Sequence, residues 1–359
     1  MLKRACLLSA LLILLLANTL QAQVLTKLLA APDTNYIEDL SDMLALRLYG
    51  SNKFTGYKLG QFGNSERLVY RPNSNMNIGF GGTYKFLTIN IGFPAPGINN
   101  DRDKFGKTKY LDLQSYVYLR KLTVDLYAQF YSGYYLANRD ALTTYPGIDS
   151  YMHRPDIKTK TVGATVEYIF NDKKFSYRAA FLQNEWQKKS AGSFIAGGGF
   201  HYVNMQADSS VITATVSDPN FFNGVGFNKT GFVNLTANAG YAHTFVIAKH
   251  FFIMGEVLAG VGGNYTSLTD TKFDTPLQGF GLNLSGTFRL AAGYNSERYF
   301  VGLHCVDYMT YNAAPIHDSW QAYEAGNLRF SIVKRFTVRK PLPKPLGKIF
   351  SQELPPVTN

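Results

Sequence analysis

The stretch "GFGLNLSGTFRLAAGY", residues 279–294, decides the fold because its side chains change character at every second position. One parity carries Phe280, Leu282, Leu284, Phe288 and Leu290, and the other carries Asn283, Ser285, Thr287 and Arg289. Alternation with a period of two is typical of a β-strand with one apolar and one polar face, and helical spacing does not fit it. The stretch therefore predicts a long strand that places Arg289 on its polar face.

The same alternation recurs from about residue 43 to residue 336, for example in 161–170 and 231–245. Aromatic residues make up 14% of the chain and charged residues only 17%, against a typical charged fraction of about 25%. No segment after the N-terminal region holds 18 uninterrupted apolar residues, which excludes a transmembrane helix there. The chain is therefore predicted to be all-β.

Two architectures fit antiparallel alternating strands, namely a soluble sandwich and a closed membrane barrel. Sandwich strands average about 5–6 residues, whereas many alternating segments here reach ten or more. Long tilted strands are what a bilayer-crossing barrel needs. We therefore predict an antiparallel transmembrane β-barrel of the outer-membrane type with 12 strands, or 14 if the weak segment Ser209–Val216 also spans.

Tight turns that pair a basic residue with an aromatic residue alternate with longer polar loops. The short turns are 83–87, 119–123, 171–175, 248–252 and 295–300, and the long loops are 94–107, 137–157, 264–277 and 311–325. In outer-membrane barrels, short turns face the periplasm and long loops face the outside. The turn pattern gives the predicted barrel an orientation.

The N-terminus predicts export from the cytoplasm. Lys3 and Arg4 precede an apolar run at 5–17, and the small residue Ala22 provides a cleavage site, which together form a signal peptide. The apolar run is short for a permanent membrane anchor, which needs about 20 residues. Cleavage near Ala22 leaves Cys305 as the one cysteine, so no disulfide can form within the mature chain.

These signals divide the chain into four parts. They are a signal peptide at 1–22, a periplasmic N-terminal segment at 23–42, the barrel at 43–338, and a Pro/Lys-rich periplasmic tail at 339–359. The last predicted strand ends with Phe336, and a terminal strand ending in an aromatic residue resembles the signal read by the barrel-insertion machinery. The expected partners are that machinery and outer-membrane lipids, the expected location is the outer membrane, and the expected state is a monomer.

Charged residues on the polar parity are expected to face the barrel lumen, since a charge facing lipid costs about 2–4 kcal/mol near mid-membrane. This candidate charge network comprises Arg47, Asp112, Asp125, Glu167, Arg178, Glu256, Arg289 and Arg329, taken to lie on different strands. Arginine suits bidentate pairing with carboxylates, which favours a salt-bridged lumen. A polar pore with charge rings and a catalytic carboxylate pair are the alternatives.

Other chemistry finds little support in the sequence. There is no metal-binding motif, no phosphate-binding loop and no cofactor signature. Although the formal net charge is +11, the basic residues are dispersed, which argues against nucleic-acid binding. The "HDS" at 317–319 supplies a Ser and a His, but adjacent residues in one loop fit a hydrolytic geometry poorly, and no GxSxG motif occurs.

Several phrases together resemble a known family. They are "YIEDLSDMLALRLYGSNKF" (36–54), "GKTKYLDLQ" (106–114), "DLYAQFYSGYY" (125–135), "RPDIKT" (154–159) and "LRFSIVKRF" (328–336). They are similar to domain of unknown function 4421, a family of uncharacterised Bacteroidota outer-membrane proteins. The resemblance implies a secreted β-barrel of unassigned activity and supplies no catalytic residues.

The leading functional interpretation is a non-enzymatic scaffold or a small-solute channel with a salt-bridged polar lumen. The first alternative is a lipid- or envelope-modifying hydrolase, which needs a Ser/His/acid cluster at the bilayer edge. The second is a surface adhesion or docking platform built on loops 137–157 and 206–229.

Overall fold

A computed structural model describes residues 31–64, 66–85, 87–98, 101–138, 142, 151–213, 216 and 218–338. The predicted signal peptide, the predicted tail and most of loop 137–157 lie outside these residues. Among the residues described, none of the helices has the length and apolar character needed to cross a membrane.

The described chain is a succession of strands with two short α-helices. The first strands are β1 (Ile37–Asp39), β2 (Met43–Gln61), β3 (Arg67–Arg71), β4 (Met76–Tyr84), β5 (Leu87–Pro94), β6 (Lys109–Asp112), β7 (Ser115–Tyr118) and β8 (Leu122–Leu136). The others are β9 (Met152–Ile169), β10 (Glu185–Gln187), β11 (Ala191–Gln206), β12 (Phe227–Ile247), β13 (Phe251–Asp270), β14 (Pro276–Asn295), β15 (Tyr299–Ala313) and β16 (Ser319–Thr337). The helices are α1 (Arg102–Phe105) and α2 (Tyr177–Phe181), and a 3-10 helix spans Phe221–Gly224.

Ten antiparallel strands close into a ring, in the order β2, β16, β15, β14, β13, β12, β11, β9, β8, β3 and back to β2. The closing pair runs from Met43 opposite Thr337 to Gln61 opposite Ser319. Closure between β3 and β8 rests on two residue pairs, Tyr70 with Leu136 and Arg71 with Tyr135. Beside β3, the wall is continued by β4 and β5 from β2 and by β6 and β7 from β8. The predicted all-β antiparallel barrel is confirmed.

The predicted count of 12 spanning strands is not confirmed, because some segments lie outside the ring. Strands β4 and β5 form a hairpin on β2, while β6 and β7 pair separately with β8. The prediction of an additional spanning strand at 209–216 is wrong for the described residues of that segment. Val211 and Ile212 lie in a bend, and Val216 makes an isolated bridge to Leu142.

The exterior of the barrel is apolar and the interior is polar, as the alternation predicts. Leu48 is 63% exposed and Val257 is 61% exposed, whereas their neighbours Arg47 and Glu256 are buried. Exposed Leu, Ile, Val and Phe side chains continue around the ring. An exposed apolar surface of this extent marks a membrane-facing band.

Two segments fold back into the barrel. At the end with the short turns, residues 171–190 turn inward, carry the buried helix α2, and pair through β10 with β1; we call this segment the plug. At the end with the long loops, Val211, Phe221 and Phe222 are buried in an aromatic cluster. The segment that carries them, the described part of 207–226, we call the outer insert.

Replacing Val257 by Arg tests the assignment of the exterior face. We expect the substitution to lower the free energy of unfolding in lipid vesicles by about 2–4 kcal/mol, because the guanidinium would replace a lipid-facing methyl group. Urea-induced unfolding followed by tryptophan fluorescence measures this change. Val257→Leu is the matched control, since it alters volume but not charge, and an equal effect of both substitutions would contradict the assignment.

Candidate functional site in the barrel lumen

The centre of the lumen holds a cluster of one arginine and three acids. Arg289 on β14 forms ion pairs with Asp125 on β8, Glu167 on β9 and Glu256 on β13, and its Nη1 lies 3.1 Å from Oε2 of Glu167. All four residues are buried. Glu256 and Arg289 are direct cross-strand partners in the register. A single guanidinium therefore holds three carboxylates together from three different strands.

The aromatic ring of Tyr177 on α2 lies against this cluster. The Arg289 guanidinium carbon stands 5.7 Å from the centre of that ring. Burial, with the charge of Glu256 as the next cause, raises the pKa of the Tyr177 phenol well above its usual value. The phenol therefore stays neutral and adds no further negative charge to the acids.

A second ion-pair group joins the plug to the barrel. Glu185 is fully buried and pairs with Arg120 and with Arg178, whose Nη1 lies 2.9 Å from Oε1 of Glu185. The Ser176 hydroxyl donates to the other carboxylate oxygen at 2.5 Å. The interpretation of Arg178 as a strand residue is wrong, because it lies in α2. Sequence reasoning also missed Glu185 and Arg120, which lie beside turns where alternation gives no signal.

Asp112 belongs to neither group. Lys53 approaches its Oδ1 at 3.2 Å, and Gln129 and Tyr131 each donate to its Oδ2 at 2.7 Å. The Gln114 backbone amide donates to the same carboxylate at 3.0 Å. The Gln114 side-chain amide donates to Oδ2 at 3.2 Å. This carboxylate is therefore held by a lysine and by four neutral donor groups, without an arginine.

Arg47 and Arg329 lie in the lumen without an acidic partner among the described residues. Arg47 donates to the side chains of Gln183 and Asn90 at 2.8 Å each. Arg329 lies over the ring of Tyr49 at 4.7 Å, and its Nε has no hydrogen-bond partner. Four of the eight predicted charges form the acid-rich group at Arg289, and two, Arg47 and Arg329, form a cationic region. Of the other two, Arg178 belongs to the group at Glu185 and Asp112 pairs with Lys53.

Neutral polar side chains fill the lumen toward the end with the long loops. The Asn283 amide donates to Thr310 at 2.6 Å and to Asn312 at 2.8 Å, and the Asn234 amide donates to the same two residues at 3.1 Å each. Amide side chains at these close distances leave little room between the strands that carry them. The interior here is a packed polar core.

The serine and the histidine of the "HDS" stretch do not form a hydrogen-bonded nucleophile and base. Ser319 donates at 3.4 Å to the backbone carbonyl of His317, not to its ring, and that ring pairs with the neighbouring Asp318 at 2.9 Å. Within the described part of the chain, no group of three or more His, Cys, Asp or Glu side chains is arranged to hold a metal ion. His201 is buried and accepts or donates a hydrogen bond with Tyr308 at 3.0 Å.

Comparison with known proteins identifies a family. The family model described as "Domain of unknown function (DUF4421)" matches residues 31–336, which confirms the resemblance found in the sequence. No curated protein matches the chain.

Solved structures with similar folds share little sequence with the chain. The outer membrane protease OmpT from Escherichia coli is 7% identical with a TM-score of 0.37, over 83% of this chain and 98% of that one. The translocator domain of the autotransporter NalP from Neisseria meningitidis is 8% identical with a TM-score of 0.27, over 81% and 88%. The toluene transporter TodX from P. putida is 9% identical with a TM-score of 0.24, over 88% and 95%. The barrel fold is assigned from the strand pairings.

Proposed function

The chain belongs to the family described as Domain of unknown function (DUF4421), and we propose that it is a non-enzymatic outer-membrane scaffold whose lumen is closed to solutes. The observation that carries this proposal is the plug, which crosses the lumen from wall to wall. A segment that contacts strands on several sides of a barrel blocks the path along its axis.

The contacts of the plug reach across the barrel. Phe181 stacks on Tyr118 of β7, with ring centres 5.2 Å apart, and meets the ring of His304 on β15 at 5.3 Å. The carbonyl of Leu182 accepts a hydrogen bond from Arg47 of β2 at 2.8 Å. The carbonyl of Gln183 accepts one from Arg335 of β16, also at 2.8 Å.

The outer insert supports closure at the opposite end. The Tyr70 hydroxyl on β3 donates to the carbonyl of Val211 at 2.5 Å, and the Phe222 amide donates to the Gln61 side chain at 3.0 Å. Phe221 and Phe222 are buried beneath these contacts. With both ends filled, the strand ring serves as a rigid support in the membrane rather than as a water-filled path.

Two features of the exterior indicate the partners of the proposed scaffold. The apolar exterior matches outer-membrane lipids, and β16 carries the exposed ring of Phe336 near its end, where the barrel-insertion machinery would read it. We include in the proposal that the protein is a monomer in the outer membrane, because each of the ten ring strands has a neighbour on both sides within one chain.

Conductance in planar bilayers tests the closed lumen. The purified full-length chain is expected to give no steady ohmic current, because the plug and the outer insert fill both ends. A matched variant in which Gly and Ser replace residues 176–183 is expected to conduct more than the unmodified chain. Steady ohmic channels from the unmodified chain would contradict the proposal and support the small-solute channel.

A further inference from the structure

One place in the barrel wall has two facing strand edges that are not joined. Strand β5 pairs only with β4, and β6 and β7 pair only with β8; across the described residues, no backbone pairing connects the two sides. We call this gap the seam. The seam is therefore an opening in the described part of the wall, through which a molecule from the surrounding bilayer can reach the lumen.

A cavity of about 150 Å³ lies behind the seam. Thr88 and Asn90 of β5 line it from one edge, and Gln114 and Tyr116 line it from the other edge. Its inner wall includes Arg47 and Arg329. The cavity thus connects the unjoined strand edges with the cationic region of the lumen.

The cavity is positively charged and contains no acid among its lining residues. Arg329 donates no hydrogen bond to a described side chain or carbonyl, and its Nε is buried without a partner. His304, its cross-strand neighbour, is also buried with Nδ1 unpartnered. An uncompensated charge at membrane depth is costly and favours capture of a counterion.

The excess acids of the lumen cannot serve as that counterion. They are already gathered around Arg289, and an aromatic layer separates them from the cavity. Tyr118 stacks on Tyr177 at 5.7 Å and on Phe181 at 5.2 Å within this layer. The lumen therefore keeps negative charge on one side of the layer and positive charge on the side that faces the seam.

The outer rim of the seam is apolar. Ile89, Ile91 and Phe93 project outward from β5 and are exposed, and Leu113 and Val117 do the same on the opposite edge. A ligand entering between these edges would meet apolar side chains first and cations further in. That sequence of environments matches a molecule with an acidic head and a hydrocarbon chain.

We propose that the seam is a lateral binding site for an anionic amphiphile, whose phosphate or carboxylate head contacts Arg329 and Arg47 while its chain stays in the surrounding lipid. The site opens through the wall, so it goes beyond the scaffold role and does not depend on the closed lumen. A strand from a partner protein is the competing occupant, but it would satisfy only the backbone edges and would leave the two cations without a counterion.

The test measures lipid binding to the purified full-length chain in a non-ionic detergent by native mass spectrometry. The probes are lysophosphatidic acid, zwitterionic lysophosphatidylcholine with the same chain, and inorganic phosphate alone. Saturable binding of lysophosphatidic acid, at least about tenfold tighter than of either other probe, is expected from a buried charge contact. Equal binding of both lysolipids would overturn the proposal, and phosphate binding as tight as lysophosphatidic acid would overturn the lateral lipid route.

Substitutions in the cavity test whether the acidic head of the amphiphile contacts Arg329. Arg329→Gln is expected to weaken lysophosphatidic acid binding by about tenfold or more, whereas Arg329→Lys, which keeps the charge, is expected to restore most of it. Lys58→Gln is the matched control, because Lys58 is a lumen cation on β2 that already has an acidic partner, Glu324, at 2.6 Å. Unchanged binding by Arg329→Gln would overturn the assignment.

A cysteine on the seam tests the competing occupant. In a Cys305→Ser background, Ile91→Cys places a thiol on the outward face of β5. A chain that stays monomeric under oxidising conditions in its native membrane supports a lipid-filled seam. A disulfide-linked dimer or an adduct with a second protein through Ile91→Cys would show a protein strand there and overturn the proposal.

Discussion

Replacing Arg289 by Met is expected to lower the free energy of unfolding by about 3–5 kcal/mol. The three carboxylates of Asp125, Glu167 and Glu256 would lose their shared guanidinium while remaining buried. Buried like charges without a cation repel one another and have no water to screen them. Met keeps much of the side-chain volume of Arg, so a cavity would not account for the loss of stability.

Urea-induced unfolding in lipid vesicles measures the effect of Arg289→Met, with Arg329→Met as the matched control. Arg329 has no acidic partner among the described residues. Its removal therefore leaves no carboxylate without a cation, and the free energy of unfolding should fall much less. Replacing the three acids by Leu together with Arg289→Met is expected to recover most of the stability, as replacement of whole buried ion clusters often does. Equal losses for the two Met variants would show that the cluster at Arg289 does not act as a buried ion network.

The strands and their faces could be predicted from the sequence because alternation reports them directly. The parity of Phe280 and Arg289 in one stretch placed the apolar side chains outside and the guanidinium inside, and the structure has them there. The reason is physical: one face meets lipid and the other meets the lumen, so the side-chain period must equal two. Alternation of this kind is local and needs no knowledge of neighbouring strands.

Pairing between strands could not be predicted in the same way. Which acid meets Arg289 depends on the register of four strands, which alternation does not report. The segments that form β5 and β7 alternate as well as the ring strands do, yet no pairing joins them. The plug was missed for another reason: "SYRAAF" is too short for a helical period to stand out, and helix α2 is held by tertiary contacts.

Replacing Glu185 by Ala is expected to release the plug from the barrel while leaving the strand ring folded. Arg120 and Arg178 would lose the buried carboxylate they share, and Ser176 would lose its acceptor, at a cost of about 3–5 kcal/mol for breaking a buried pair. Because the plug is a local unit, the cost should appear as local opening rather than as global unfolding.

Amide hydrogen exchange measures this opening. Faster exchange is expected at residues 176–187 of Glu185→Ala, with protection kept in the ring strands and with higher bilayer conductance than in the unmodified chain. Glu38→Ala is the matched control, since Glu38 is 41% exposed at its side chain and pairs with Lys188 at 3.4 Å, and such exposed pairs contribute about 0–1 kcal/mol. Unchanged exchange in Glu185→Ala would mean that aromatic packing around Phe181 alone holds the plug in place. Loss of protection throughout the ring would mean that the barrel needs the plug to fold, because the lumen charges on its wall would then be left without their partners.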